Sequence, residues 1–205
     1  MPATAGDPAY QAWLVDLDGT LYHQAALRLV MALELTVLGW PAVACLRAFR
    51  AEHERLRLES SAPAADPFLT QIQRTAARLG QPEQDVRRLV ERWMIARPCR
   101  WLRPLRRRGL LGEIADFRRH GGRTALVSDY PARAKLRAMG VAQLFDVVVA
   151  SGESAEPLRL KPAPDGYLLA AEKLGIPPEV CLVIGDRSDA DGQSAERAGM
   201  AFRRV

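Results

Sequence analysis

Five short apolar runs recur along the chain: AWLVDL (12 to 17), TALVS (124 to 128), DVVVA (146 to 150), VCLVIGD (180 to 186) and AFRRV (201 to 205). The middle runs are apolar without alternation and rich in β-branched valine, the pattern of strands covered on both faces. Helical periodicity fills the spaces between them, as in ARAKLRAMG (132 to 140), PDGYLLAAEKLG (164 to 175) and DGQSAERAG (191 to 199), each closing on a glycine suited to a helix C-terminus. Strand alternating with helix predicts an α/β fold, a Rossmann-like parallel sheet flanked by helices.

About a hundred residues separate the first run from the second, far more than one crossover helix needs. Residues 24 to 100 read as helical throughout, with breaks at Gly39-Trp40-Pro41, Ser61 to Pro67 and Gly80-Gln81-Pro82. An all-helical cap domain over 23–100 is therefore expected, inserted into an α/β core made of 1–22 and 101–205. Starting so soon after Asp18, the insertion should sit over the carboxyl end of the first strand, the edge where open α/β sheets bind ligands.

Composition narrows the setting. With 48% apolar and 26% charged residues, the chain of 205 is that of an ordinary globular protein, and no stretch approaches the roughly eighteen apolar residues of a membrane span. The opening MPATAGDPAYQ has neither the basic start nor the apolar core of a secretory signal, so a cytoplasmic location without membrane contact is expected. Cys45, Cys99 and Cys181 are far apart and read as reduced thiols. The net charge of +5 is concentrated in RPCRWLRPLRRRG (97 to 109), which has the electrostatic look of a nucleic-acid site. Arginine, however, dominates the basic residues along the whole chain, and a solvated basic face with no nucleic-acid partner is the expectation. Only Lys135, Lys161 and Lys173 are lysines, so each invites a reason.

In a parallel sheet the strand ends meet at one edge. That edge should collect Asp16 and Asp18 from the first strand, Ser128 and Asp129 from the second, and Asp186, Asp189 and Asp191 from the fourth, with Lys161 on the approach to a helix. Each has an ordinary structural use: a strand-end turn, a helix cap, a surface charge, a capped loop. Together, several acids at one spot repel by about 4 kcal/mol per pair at 4 Å under an effective dielectric near 20. A divalent cation relieves that repulsion, and oxygen-only ligands point to Mg²⁺. The lysine, the Ser128 hydroxyl and the amides around Leu17 and Gly19 suit a phosphate group.

In order and spacing, DLDGT, Ser128 after TALV, Lys161 in LKPAPD, and GDRSDAD resemble the four motifs of the haloacid dehalogenase superfamily, with a helical cap as in its phosphoglycolate phosphatase-like branch. The resemblance implies a Mg²⁺-dependent phosphatase that hydrolyses a small phosphorylated metabolite through an aspartyl-phosphate. Asp16 is then the nucleophile and Asp18 the general acid and base. Lys161 acts beside them and, with Gly19, Thr20, Ser128 and Asp129, binds the phosphate. The metal falls to Asp16, Asp186, Asp191 and Asp18, the last through its backbone carbonyl so that its carboxyl stays free for proton transfer. Asp189 receives no role. Tyr22 and His23 open the cap hinge, and Arg28, Arg47 and Arg50 are candidate substrate anchors. Asp18 argues against dehalogenation, whose branch lacks the second acid. A β-phosphoglucomutase-like mutase and a non-catalytic binding protein of the same fold are the alternatives, and the chain is expected as a monomer or homodimer.

Overall fold

The computed structural model describes residues 10–59 and 63–205; most of the N-terminal segment read above for a signal, and part of the break at 61 to 67, lie outside the described residues. All five expected strands are present: β1 (Ala12–Asp16), β2 (Arg123–Ser128), β3 (Val147–Ala150), β4 (Cys181–Gly185) and β5 (Ala201–Arg204). They pair in parallel in the order β3-β2-β1-β4-β5. The register sets Asp16 beside Val127, Ser128 beside Ala150 and Val15 beside Ile184, so one edge collects the polar ends of β1, β2 and β4.

Strand side chains alternate between faces, and both faces are buried. Leu14, Val127 and Val183 pack with Tyr167 and Ala170 on one side, while Val15, Leu126 and Ile184 pack with Ile114, Leu136 and Leu102 on the other. This is why the runs read as continuously apolar rather than alternating.

Four helices follow β1: α1 (Gln24–Leu38), α2 (Val43–Leu58), α3 (Pro67–Leu79) and α4 (Glu83–Val90). The start and stop of α3 follow from its sequence. The Asp66 carboxylate accepts from the Leu69 N–H at 3.0 Å, Pro67 occupies the first turn, and Gly80 ends the helix at φ 61°. Phe49, Phe68, Ile72, Val86 and Val90 form an apolar cluster of their own, with the two phenyl rings edge to face at 5.8 Å.

The fourth inserted helix does not stop near residue 97. It widens into a π-type turn over Glu91–Ala96 and continues as α5 (Arg97–Leu105). The wide turn lies directly before Pro98, whose ring and missing N–H exclude a regular bond to the carbonyl four residues back. Leu102 on α5 is fully buried in the sheet cluster, so one side of the basic run belongs to the core. The chain leaves the helix at Arg106 rather than at 100. There Tyr22 and Arg106 form an antiparallel bridge, with His23 N–H donating to Leu105 C=O at 3.0 Å and Arg107 N–H to Leu21 C=O at 2.8 Å. Entry and exit of the insertion are thereby tied together.

The remaining helices are α6 (Arg108–Arg119), α7 (Arg133–Met139), α8 (Asp165–Leu174) and α9 (Gln193–Arg197). In α6, Gly109 and Gly112 interrupt the apolar pattern and obscure it in the sequence. The last helix is shorter than DGQSAERAG suggests, because Ser188–Gly192 forms a wide turn that carries Asp191. Among the described residues no single helix is long and apolar enough to cross a membrane.

Candidate active site

β1 ends by burying Asp16 at the carboxyl edge. The Thr20 hydroxyl donates to its Oδ2 at 2.8 Å, and the Lys161 ammonium donates to its Oδ1 at 2.6 Å. Lys161 also donates to Asp191 Oδ1 at 2.8 Å and to the Val127 carbonyl at 3.1 Å, which uses all three of its N–H donors. Asp191 is completed by the Tyr167 hydroxyl at 2.9 Å and the Arg187 backbone N–H at 3.2 Å. Burial pushes the Asp16 carboxyl up to about 8, against the pull of Lys161 and with added repulsion from Asp191. Burial alone would lower Lys161, yet Asp16 and Asp191 hold its ammonium well above the usual range.

Asp18, two residues on, has the opposite setting. Its carboxylate receives the Lys135 ammonium at 2.6 and 2.8 Å and the Tyr22 hydroxyl. Burial would raise this acid, but Lys135, by its charge and its hydrogen bonds, and the Tyr22 hydroxyl hold it below the usual carboxylate range. It is not one of the acids whose oxygens gather beside it, which are Asp16, Asp186 and Asp191.

Carboxylate oxygens of those three acids lie within 4.8 Å of one another. Two glycines allow the approach. Gly19 has φ 102°, and a Cβ there would stand 2.2 Å from Asp186 Oδ2; a Cβ on Gly185 would stand 2.4 Å from Asp191 Oδ2. Asp186 is pushed up by burial and by Asp191, and among the described residues no lysine or arginine side chain forms an ion pair with it within 4.0 Å. One ammonium therefore faces three carboxylates. The donor set, all oxygen and short of positive charge, fits a hard divalent cation such as Mg²⁺.

The other expected residues are placed as follows. Ser128 is buried and its Oγ accepts from Tyr130 N–H at 3.2 Å, which leaves its own O–H to donate. Thr20 is fully buried and its hydroxyl donates to Asp16, so it orients that carboxylate. Asp129 Oδ1 accepts from Lys161 N–H at 3.2 Å and its Oδ2 faces His53 at 3.8 Å, so it joins loop to insertion. Asp189 lies outside the cluster, where it pairs with Arg187 at 2.5 Å and faces Arg57 at 3.9 Å.

Several contributors were not assigned from sequence. The sequence signal for Lys135 is scarcity alone, as one of three lysines in an arginine-rich chain. Tyr167, inside a helix pattern, gave none. From α2, Arg57 Nε donates to the Lys161 carbonyl at 2.7 Å, and His53 stacks on Tyr130 with ring centroids 4.6 Å apart. Burial lowers His53 below the usual histidine range, with Arg57 adding to the shift. A cavity of about 670 Å³ lies between sheet edge and insertion, with Asp18, Tyr22 and Lys135 on the edge side and Arg28 and Arg50 on the other. Arg47 is not among its lining residues.

A family model for haloacid dehalogenase-like hydrolases matches residues 10–199. The chain belongs to that family. Among curated relatives, it is 41% identical over 69 residues to fructose-1-phosphate phosphatase YqaB of Escherichia coli, covering 34% of this chain and 35% of that one. It is 39% identical over 71 residues to glyceraldehyde 3-phosphate phosphatase of Methanopyrus kandleri, covering 35% of this chain and 29% of that one. The matched segment thus spans about a third of each relative's length. Among solved structures, L-2-haloacid dehalogenase of Xanthobacter autotrophicus superposes with TM-score 0.66 at 19% identity, over 96% of this chain and 77% of that one. CbbY of Rhodobacter sphaeroides, solved with phosphate, gives 0.58 at 26% identity, over 94% and 84%. The former likeness is one of fold.

Proposed function

We propose that this family member is a Mg²⁺-dependent phosphatase of small phosphomonoesters. The observation that carries the reading is the contrast between two acids two residues apart: Asp16 inside the acidic cluster, oriented by Thr20 and Lys161, and Asp18 held outside it by Lys135 and Tyr22. The first setting orients Asp16 for attack at a place where a bound cation would favour its ionised form, and the second keeps the Asp18 carboxyl off that cation, as a proton-transfer group requires.

In this reading Asp16 attacks phosphorus and forms an aspartyl-phosphate, while Asp18 gives a proton to the departing alkoxide. Water then attacks the acyl phosphate, and Asp18 takes a proton from it. The resting contacts favour ionised Asp18, the form needed for that second half. For the first half, Lys135 must release one of its oxygens to a proton. Lys161 and Ser128 offset and orient the phosphoryl oxygens. A Mg²⁺ held by Asp16, Asp186, Asp191 and the Asp18 carbonyl would supply the positive charge that one lysine does not. The helical insertion acts as a cap that excludes water and polymers, which favours small metabolites. The relatives named as phosphatases of small phosphorylated compounds support this reading.

The test is phosphate release from a panel of small phosphomonoesters, with Mg²⁺ and with EDTA, using Asp16→Asn as the blank. Metal-dependent release that is absent in the blank is expected. Release that persists in Asp16→Asn overturns the nucleophile, and isomerisation of a sugar phosphate without phosphate release points to the mutase.

A further inference from the structure

The cavity wall changes character with distance from the acids. Along α1, Gln24 and Arg28 lie at the end nearest Asp18, whereas Met31 and Leu35 line the cavity one and two turns further on. Along α2, which runs back toward the sheet, Arg50 and His53 line it near the edge and Leu46 lines it further away. Trp93 and Met94, from the π-type turn, close the same distal region. Gln24 to Leu35 spans about 16 Å of helix, long enough to carry a body of several carbons beyond the phosphate.

A polyhydroxylated body would find few partners on that distal wall, and its hydroxyls would lose water without replacement. An apolar body would be rewarded, and the two methionines beside Trp93 can adapt to its shape. The volume, about 670 Å³, is that of a small-molecule site rather than a polymer groove. We infer that the substrate is an amphiphilic phosphomonoester: phosphate at the acidic edge, a short polar shoulder beside Arg28 and Arg50, and an apolar distal body against Met31, Leu35, Trp93 and Met94. The inference rests on the proposed function in one respect, that the phosphate sits at this edge.

The experiment is a titration of Mg²⁺-loaded Asp16→Asn by calorimetry, with Trp fluorescence in parallel, using ethyl, butyl and hexyl phosphate and the six-carbon polyol ester sorbitol 6-phosphate. Affinity should rise roughly threefold for each methylene that reaches the wall. Hexyl phosphate should then bind at least tenfold tighter than sorbitol 6-phosphate. Adding Leu35→Gln should weaken hexyl phosphate severalfold and leave ethyl phosphate unchanged. Leu33→Gln, on the outer face of α1 where Leu33 is 68% exposed, should change neither. A flat alkyl series, equal or tighter binding of the polyol, or no binding of any ester overturns the inference. Wild-type turnover of the same esters separates the two readings. A rising alkyl series without hydrolysis keeps the apolar body and removes the phosphatase, whereas preferential hydrolysis of the polyol ester does the reverse.

Discussion

The carboxyl edge of the sheet and the helical insertion face one cavity but are held together by different forces. At the edge, six charged side chains crowd together, Asp16, Asp18, Lys161, Asp186 and Asp191 from strand ends and the segments after them and Lys135 from α7, and the lysines are tied to the acids by hydrogen bonds of 2.6 to 2.8 Å. The insertion holds itself by packing: Phe49, Phe68, Ile72 and Val86 are buried together, and its polar links to the core include Arg57 to the Lys161 carbonyl, His53 beside Asp129 and a backbone bridge between Ala64 and Leu158. The edge is a place where changing one charge should be costly for chemistry. The insertion is a place where changing volume should be costly for stability.

The largest expected effect breaks the edge. Asp16→Asn should lower kcat by at least about 10⁴-fold while the protein stays folded, since the change removes a charge that burial already disfavours. A variant with near-normal kcat and intact melting would show that the edge does not work through Asp16. Lys161→Met should destabilise the metal-free protein by about 3–5 kcal/mol, because Asp16 and Asp191 lose their shared ammonium. Mg²⁺ should recover part of that loss in a thermal melt, and an equal loss with and without Mg²⁺ would mean that the acids do not hold the ion.

Phe49→Ala tests the other side. It should cost about 3–5 kcal/mol in chemical denaturation, since Phe49 is fully buried between Phe68 and Ile72. A loss under 1 kcal/mol would mean that the insertion is not held by its own core.

A smaller effect sits where the regions touch. Because burial depresses His53, its neutral ring contributes stability that is complete above the unfolded value near 6.5 and is lost as pH falls through the lower folded value. Wild-type melting should therefore drop between pH 7 and 5 more steeply than that of His53→Gln. Parallel profiles would remove His53 from the contact. Smallest of all, Asp189→Asn should change stability by less than about 1 kcal/mol, as an exposed partner of Arg187 should. A large loss of metal affinity in that variant would instead bring Asp189 into the cluster.

The two regions were also unequally legible. At the edge, each acid follows a strand visible as a continuous apolar run, so parallel topology alone was enough to gather Asp16, Ser128, Asp186 and Asp191. Lys135 escaped assignment because it lies on α7, at a position whose direction depends on how that helix packs against α5. Thr20 belongs to the DLDGT motif, but that its hydroxyl turns to Asp16 was decided by the turn after β1, which buries it. In the insertion, helix existence was readable, and so were the caps of α3. The run through Pro98 was not, because proline normally ends a helix and only the packing of Leu102 into the sheet cluster supports its continuation.

What the amino-acid order determined by itself was local and periodic: five strands, the helices that end in glycine, and the acids placed at strand ends, all governed by side-chain burial within a few residues. What the tertiary structure decided was which charges meet and which wall faces the site. Lys135 on Asp18, Tyr167 on Asp191 and the apolar face of α1 across the cavity each join residues far apart in sequence, and in each case the distance in space is set by helix packing rather than by any short pattern.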